Sequence, residues 1–164
     1  MIVPLSNNPN GTEVDDSDFQ ILSQYKWKMS GDGYAVRNVY VSGGKYKTIL
    51  MHRYLLDPED GMVIDHIDGN PLNNKRSNLR VCTRKQNMSN MKKPITNASG
   101  YKGVHFHKNT TDKVWMAQIR INNKNKFLGA FTSPVEAAKE YDLHAVAVFG
   151  IYAKLNFPKL EEAE

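Results

Sequence analysis

Between Val63 and Asn87 the chain reads VIDHIDGNPLNNKRSNLRVCTRKQN, and no other stretch restricts its fold so tightly. Met62–Asp65 is a short apolar run that suits a strand. Asp68-Gly69-Asn70-Pro71 has turn chemistry. Leu79–Cys82 suits a second brief strand. Thr83 offers an N-cap hydroxyl for a helix beginning at Arg84. The predicted unit is therefore strand, loop, strand, helix.

On that frame Asp65 ends the first strand and Asn87 lies one turn into the helix. Both can face the gap between strand and helix and offer hard oxygen ligands. Magnesium commonly takes one or two protein oxygens and leaves its other positions to water and phosphate. His66 follows Asp65, so its ring points elsewhere. A neutral imidazole there can take a proton from an attacking water. Asn78 can orient that ring through its amide oxygen. Such a set suits one divalent ion and one activated water at a phosphodiester.

Two other readings of the loop carry different consequences. Aligned on Gly69 as position six of a calcium loop, Ile64 falls at position one and Lys75 at position twelve. Neither can be the oxygen ligand that those positions need, so calcium buffering is excluded. Asp68, Asn70, Asn73 and Asn74 are assigned to an ordinary Asx-rich turn.

The net charge of +5 hides a sharp asymmetry. Residues 1–57 hold six acids and six Lys or Arg, and residues 58–74 hold four acids and no Lys or Arg. Residues 75–126 hold thirteen basic groups and one acid, and residues 127–164 hold three basic groups and six acids. The central block is the electrostatic footprint expected for a polyanion. The single cysteine, Cys82, excludes an intrachain disulfide and a Cys-rich zinc site. No apolar segment approaches the roughly 20 residues that span a bilayer. No export signal is visible, and a cytoplasmic location is expected.

Residues 1–57 have short apolar bursts separated by turn signals at Asn10-Gly11, Gly31-Asp32-Gly33 and Gly43-Gly44. This section reads as β-rich, with a short helix near Asp16–Tyr25 and with Tyr25, Trp27 and Tyr34 in a core. It is expected to be scaffold. Residues 92–99 read as a linker, with Lys92 and Lys93 able to touch phosphate. Beyond it, Tyr101–His107, Val114–Ile121 and Lys126–Phe131 read as three strands. In the middle strand apolar Trp115, Ala117, Ile119 and Ile121 alternate with Met116, Gln118, Arg120 and Asn122. Ser133-Pro134-Val135-Glu136 is a capping box with Pro at the first helical position. In the helix that follows, Ala138, Tyr141, Ala145 and Val148 form an apolar stripe, and Gly150 ends it.

Taken together, Asp65-His66, Asn78 and Asn87 resemble the HNH, or ββα-metal, endonuclease motif. The resemblance runs from about Val14 to Asn90 and includes VDDSDF, SQYKW, MHRYLL and the DHIDGN…NN…NLR…QN core. This stretch closely resembles the HNH homing endonucleases of phages and mobile introns. The resemblance implies that Asp65 and Asn87 bind the metal, that His66 is the general base and that Asn78 orients it. Asn87 stands where many members have a third histidine, so the chain has the His-Asn-Asn form. His52, which also recurs in the family, is read as structural or phosphate-facing.

Ser99–Pro158 resembles the plant ethylene-response-factor (Apetala-two) type of DNA-binding domain, through YKGV, AQIR, LGAF, EAAKEYD and LNFP in order. That resemblance implies a three-stranded sheet lying in the DNA major groove. It places contacts on Lys102, His105, His107, Gln118, Arg120, Asn125 and Phe127, with Arg120 the leading base contact. Lys102, Lys124 and Lys126 are expected at phosphates.

The expected fold is α+β. Residues 1–91 form a small β-rich section plus the HNH unit (motif 62–91), 92–99 a linker, 100–158 a three-stranded antiparallel sheet packed on one helix, and 159–164 a tail. The expected activity is a site-preferring DNA endonuclease using one divalent ion, Mg²⁺ or alternatively Mn²⁺. Double-stranded DNA is the expected partner, with no membrane and no other cofactor, and with the chain a monomer or weak homodimer. A phage-encoded protein in a bacterial host, or a bacterial protein, fits this reading. The competing expectation is a DNA-binding regulator that does not cut.

Overall fold

The computed structural model describes residues 1–90, 98–107 and 114–158, and the chain divides into two compact units, Met1–Asn87 and Met88–Glu164. Most of the expected linker, with Lys92 and Lys93, and the tail at 159–164 lie outside the described residues. The architecture is α+β in both units.

The first unit opens with an antiparallel hairpin, β1 (Ile2–Leu5) and β2 (Asn8–Glu13). Its turn is Ser6-Asn7, not Asn10-Gly11 as the sequence suggested. Gly11 lies inside β2 at φ +65°, and a Cβ there would stand 2.5 Å from Ile2 Cγ2 and 2.7 Å from the Val3 carbonyl oxygen. The glycine permits close approach of two strands rather than a reversal. The expected helix is shorter than read, α1 (Asp16–Leu22).

A second sheet has the order β3 (Lys28–Met29), β4 (Ala35–Ser42), β5 (Lys45–Leu50). A helix not anticipated from the sequence, α2 (Met51–Leu56), follows β5 directly. Val3, Leu5, Val14, Leu22, Trp27, Ala35 and Met51 make the core, with Tyr25, Tyr54 and Leu72 packed against it. Trp27 is buried and donates its indole N–H to the Leu22 carbonyl at 2.8 Å, which satisfies the polar edge of the ring. Tyr34 is not part of this core. Its ring lies instead against those of His52 and His66.

The strand–loop–strand–helix unit forms much as its residues dictate. β6 (Val63–His66) pairs antiparallel with β7 (Leu79–Cys82), and α3 (Arg84–Ser89) follows. Thr83 and Gln86 cap the helix reciprocally: the Thr83 N–H donates to Gln86 Oε1 at 2.8 Å, and the Gln86 N–H donates to Thr83 Oγ1 at 3.3 Å. The loop between the strands is tied back to β2. The Glu13 N–H donates to the Leu72 carbonyl at 2.8 Å, and the Asn74 N–H donates to the Glu13 carbonyl at 2.7 Å.

In the second unit β8 (Val104–His107), β9 (Val114–Ile121) and β10 (Lys124–Phe131) form an antiparallel sheet with β9 central, packed on α4 (Pro134–Phe149). β8 starts three residues later than expected because Gly103, at φ +76°, turns the chain and lies against Tyr141. Ser133 caps α4, its hydroxyl accepting from the Val135 N–H. Ala137, Ala138, Tyr141 and Ala145 are buried, but Val148 is 41% exposed and so stands outside the expected stripe. Asp142 is buried in that face, because the backbone N–H groups of Asn156 and Phe157 donate to its carboxylate at 2.9 and 2.8 Å.

Candidate active site

β6 brings Asp65 and His66 to the interior of the first unit, where both are buried. Asp65 is paired in register with Arg80 on β7, and Arg80 Nε donates to Asp65 Oδ2 at 2.8 Å. The ion pair is almost fully removed from water, with side-chain exposures of 6% for Asp65 and 13% for Arg80. No local pattern signals it, since cross-strand partners appear only once the register is known. Asn87 is half-buried on α3, and among the described residues its side-chain amide makes no hydrogen bond within the protein.

Among the described residues His66 lies against Asn74, His52 and Tyr34. Its Nε2 lies 3.4 Å from Asn74 Oδ1. The His52 ring stands edge-on to it at a centroid distance of 5.1 Å and 87°, and Tyr34 lies at 5.9 Å. Burial pushes the His66 imidazole below its ordinary pKa, against the opposing pull of Asn74, Asp68 and Asp65. Burial, with His66 and Arg53 nearby, lowers His52 to about 4. Both rings are therefore neutral near pH 7.

Asn78 does not meet His66 as the sequence suggested. Its Oδ1 accepts from the Asp68 N–H at 3.0 Å, and its Nδ2 donates to Asp68 Oδ1 at 3.0 Å and to the Asn73 carbonyl at 2.8 Å. The amide is committed to closing the loop. It holds the backbone just beyond His66 rather than the imidazole. The residue facing the ring is Asn74, expected from its sequence only as part of an Asx-rich turn. Asp68, Asn70 and Asn73 do form that turn: Asp68 Oδ1 accepts from the Asn70 N–H at 2.7 Å, and Asn73 Nδ2 donates to Asp68 Oδ2 at 2.8 Å.

A carboxylate and an amide oxygen suit a hard, oxygen-preferring divalent ion that keeps several waters, so Asp65 and Asn87 fit such an ion in donor chemistry. Among the described residues no group of three or more His, Cys, Asp or Glu forms a richer cluster.

In the second unit the register settles which residues share the open face of the sheet. Asn125 pairs with Arg120, Phe127 with Gln118, and His105 with Met116. With His107, two residues on from His105, these positions lie on the side away from α4. Phe127 is 55% exposed there, which removes it from the core. Trp115 packs toward the helix, its ring 5.2 Å from Phe106. Lys124 and Lys126 pair with Ile121 and Ile119, so they lie on the opposite side of β10 from Arg120 while remaining exposed. Lys102 precedes β8 and is half-buried, and burial together with the Lys154 ammonium lowers it to about 8.

The HNH endonuclease family profile matches residues 58–89. An uncharacterized HNH endonuclease, L560, of Acanthamoeba polyphaga mimivirus is 32% identical over 143 residues, 83% of this chain and 69% of that protein. The chain belongs to the HNH endonucleases. DNA endonuclease I-HmuI of Bacillus phage SP01 is 40% identical over 70 residues, 40% of each chain. A solved structure described as "DNA binding and cleavage by the HNH homing endonuclease I-HmuI" covers 76% of this chain and 74% of its own at 25% identity, with a TM-score of 0.36. Dehydration-responsive element-binding protein 2A of Arabidopsis thaliana is 42% identical over 52 residues, 30% of this chain and 16% of that protein. This HNH protein spans about half the length or less of most curated relatives it matches. No helix among its described residues is long and apolar enough to cross a membrane.

Proposed function

We propose that this protein is a metal-dependent, site-preferring DNA endonuclease of the homing type, with His66 as general base. The observation that carries the reading is a buried imidazole one residue from a buried carboxylate on the same strand. A regulator that only binds DNA has no need of an imidazole held neutral beside a hard-oxygen donor. Asp65 and Asn87 would hold one divalent ion, Mg²⁺ or Mn²⁺. Such an ion, when bound, stabilises negative charge on phosphate and on the leaving oxygen.

The chain's own groups do the rest. His66 takes a proton from water as the water oxygen bonds to phosphorus. The bond from phosphorus to the 3′ oxygen breaks, and that oxygen acquires a proton from solvent. The products carry 5′-phosphate and 3′-hydroxyl ends. Asn78 acts by fixing the loop that follows His66. Arg80 keeps the Asp65 carboxylate in one orientation.

The second unit supplies affinity and sequence preference. Arg120, Gln118, Asn125 and Phe127, with His105 and His107, would lie in the major groove, which admits a β-surface. Arginine there suits guanine, glutamine and asparagine suit adenine, and an exposed phenyl ring suits a thymine methyl. Lys102, Lys124 and Lys126 would meet phosphates from the sheet's margin. The phage, prophage and viral relatives motivate a phage-borne protein acting on DNA in a bacterial cytoplasm, as a monomer or weak homodimer.

The test is plasmid nicking with Mg²⁺ or Mn²⁺ on DNA carrying the host site. Wild type should cut and His66→Ala should lose at least about a hundredfold, the usual scale of general-base catalysis. Binding without metal-dependent cutting by the wild type would instead favour the regulator.

A further inference from the structure

We propose that Asn74, braced by Thr12, is the positioning residue that fixes the His66 ring with hydrogen on Nε2 and makes Nδ1 the atom that accepts the proton. The inference rests on the nuclease reading for its catalytic consequence, but the tautomer it assigns is a property of the protein alone.

Donor and acceptor roles favour one arrangement. Asn74 is fully buried, at 0% exposure, so its amide must be satisfied from within the protein. Thr12 is 1% exposed and stands beside it from β2. The Thr12 hydroxyl donates its hydrogen to the Leu72 carbonyl at 2.7 Å, which leaves only lone pairs for Asn74. The second neighbour, the Pro71 carbonyl, can only accept. Both partners therefore require the NH₂ end of the amide, and Nδ2 donates to Thr12 Oγ1 at 2.8 Å and to Pro71 at 3.4 Å. With the Thr12 hydroxyl donating to Leu72, reversing the amide would set oxygen against oxygen at both Thr12 and Pro71. Its Oδ1 then faces His66 Nε2 at 3.4 Å and can only accept, so Nε2 carries the hydrogen. In a neutral imidazole the remaining basic lone pair belongs to Nδ1.

At 3.4 Å the contact is at the long end for a hydrogen bond. It strengthens once the ring becomes cationic, because a bond to an ionised donor is shorter and stronger. Asn74 thus orients the base before proton transfer and steadies the imidazolium after it. Asn78 is not available for this, since both ends of its amide are used within the loop. The His52 and Tyr34 rings also pack against the His66 ring, at centroid distances of 5.1 and 5.9 Å. The brace reaches across 62 residues of sequence, from Thr12 to Asn74, which gives the N-terminal hairpin a part in the chemistry.

The experiment combines ¹⁵N-histidine NMR with nicking kinetics on the full chain. In wild-type protein without metal or DNA, His66 should show the Nε2–H tautomer. In Asn74→Ala it should become a mixture of tautomers. In nicking assays Asn74→Ala should lower kcat by roughly 10- to 100-fold with KM near wild type, the scale seen when a group orienting a catalytic residue is removed. Thr12→Val should lose rate in the same direction, and Thr12→Ser, which keeps the acceptor, should recover most of it. An Nδ1–H tautomer in the wild type overturns the assignment even if every variant misfolds. So does a folded Asn74→Ala protein with kcat within about twofold of wild type (under 1 kcal/mol at the barrier). If the wild type never cuts DNA yet shows Nε2–H that is lost in Asn74→Ala, the nuclease reading fails and the positioning contact stands.

Discussion

His52 is neutral in the fold until about pH 4 and would titrate near 6.5 in an unfolded chain. Between those values the unfolded state binds the extra proton, so stability is full above pH 6.5 and falls as pH drops toward 4. His66 is displaced in the same direction and adds to the slope. For His52 alone the loss across that window is roughly 3 kcal/mol. His52→Gln, which cannot titrate, should lower stability at pH 7 yet flatten the slope of unfolding free energy between pH 6.5 and 4. Urea unfolding at several pH values measures it, and an unchanged slope would place the acid sensitivity elsewhere. At this scale the sequence was legible where chemistry is local. Asp65 and His66 could be read because carboxylate and imidazole are adjacent on a strand. Asn74 could not, because its partners Thr12 and His66 lie on other segments, and an Asx-rich turn disguised it as loop composition.

Elements were legible where a short run carried its own start and stop. β7 and α3 follow directly from LRVC and from the Thr83 N-cap, to which the structure adds Gln86 as the reciprocal partner. α2 carried no such signal, since Leu50 precedes it with no side-chain cap and the helix is six residues long. Gly103 shows how one residue sets an element boundary. A Cβ there would come within 2.0 Å of the Tyr141 ring and 2.8 Å of the Gln118 carbonyl, on a backbone already in the left-handed region. Gly103→Ala should therefore destabilise the second unit by about 3 kcal/mol, through overpacking and backbone strain together. Gly44→Ala tests the strain alone, because φ is +76° but nothing lies within 4 Å. Its cost should be about 1 kcal/mol. Thermal unfolding of both variants separates the two terms, and equal losses would mean that the Tyr141 ring moves aside freely.

On the scale of the whole molecule, the candidate cutting residues and the candidate reading residues fall in different compact units. The basic block at 75–126 bridges that division in sequence, beginning beside the HNH loop and ending on β10. Binding and cutting should then be separable by mutation. His66→Ala should bind DNA with wild-type affinity and fail to cut. Arg120→Ala should leave kcat near wild type but lose about 1–3 kcal/mol of discrimination at one base pair, since arginine's forked donors read a base edge. Lys126→Ala should weaken binding to all sequences alike and reduce the slope of log affinity against log salt by about 1, because a phosphate contact releases one counterion. The register sharpens this contrast: Arg120 shares the open face with Phe127 and Gln118, while Lys126 points to the other side of its strand. Fluorescence-anisotropy titrations over a salt series, on specific and scrambled duplexes, distinguish the two behaviours. Lys126→Ala altering preference at one base pair while leaving the salt slope intact would mean that β10 meets the groove by a different edge, and the assignment of the open face as the reading surface would fall with it.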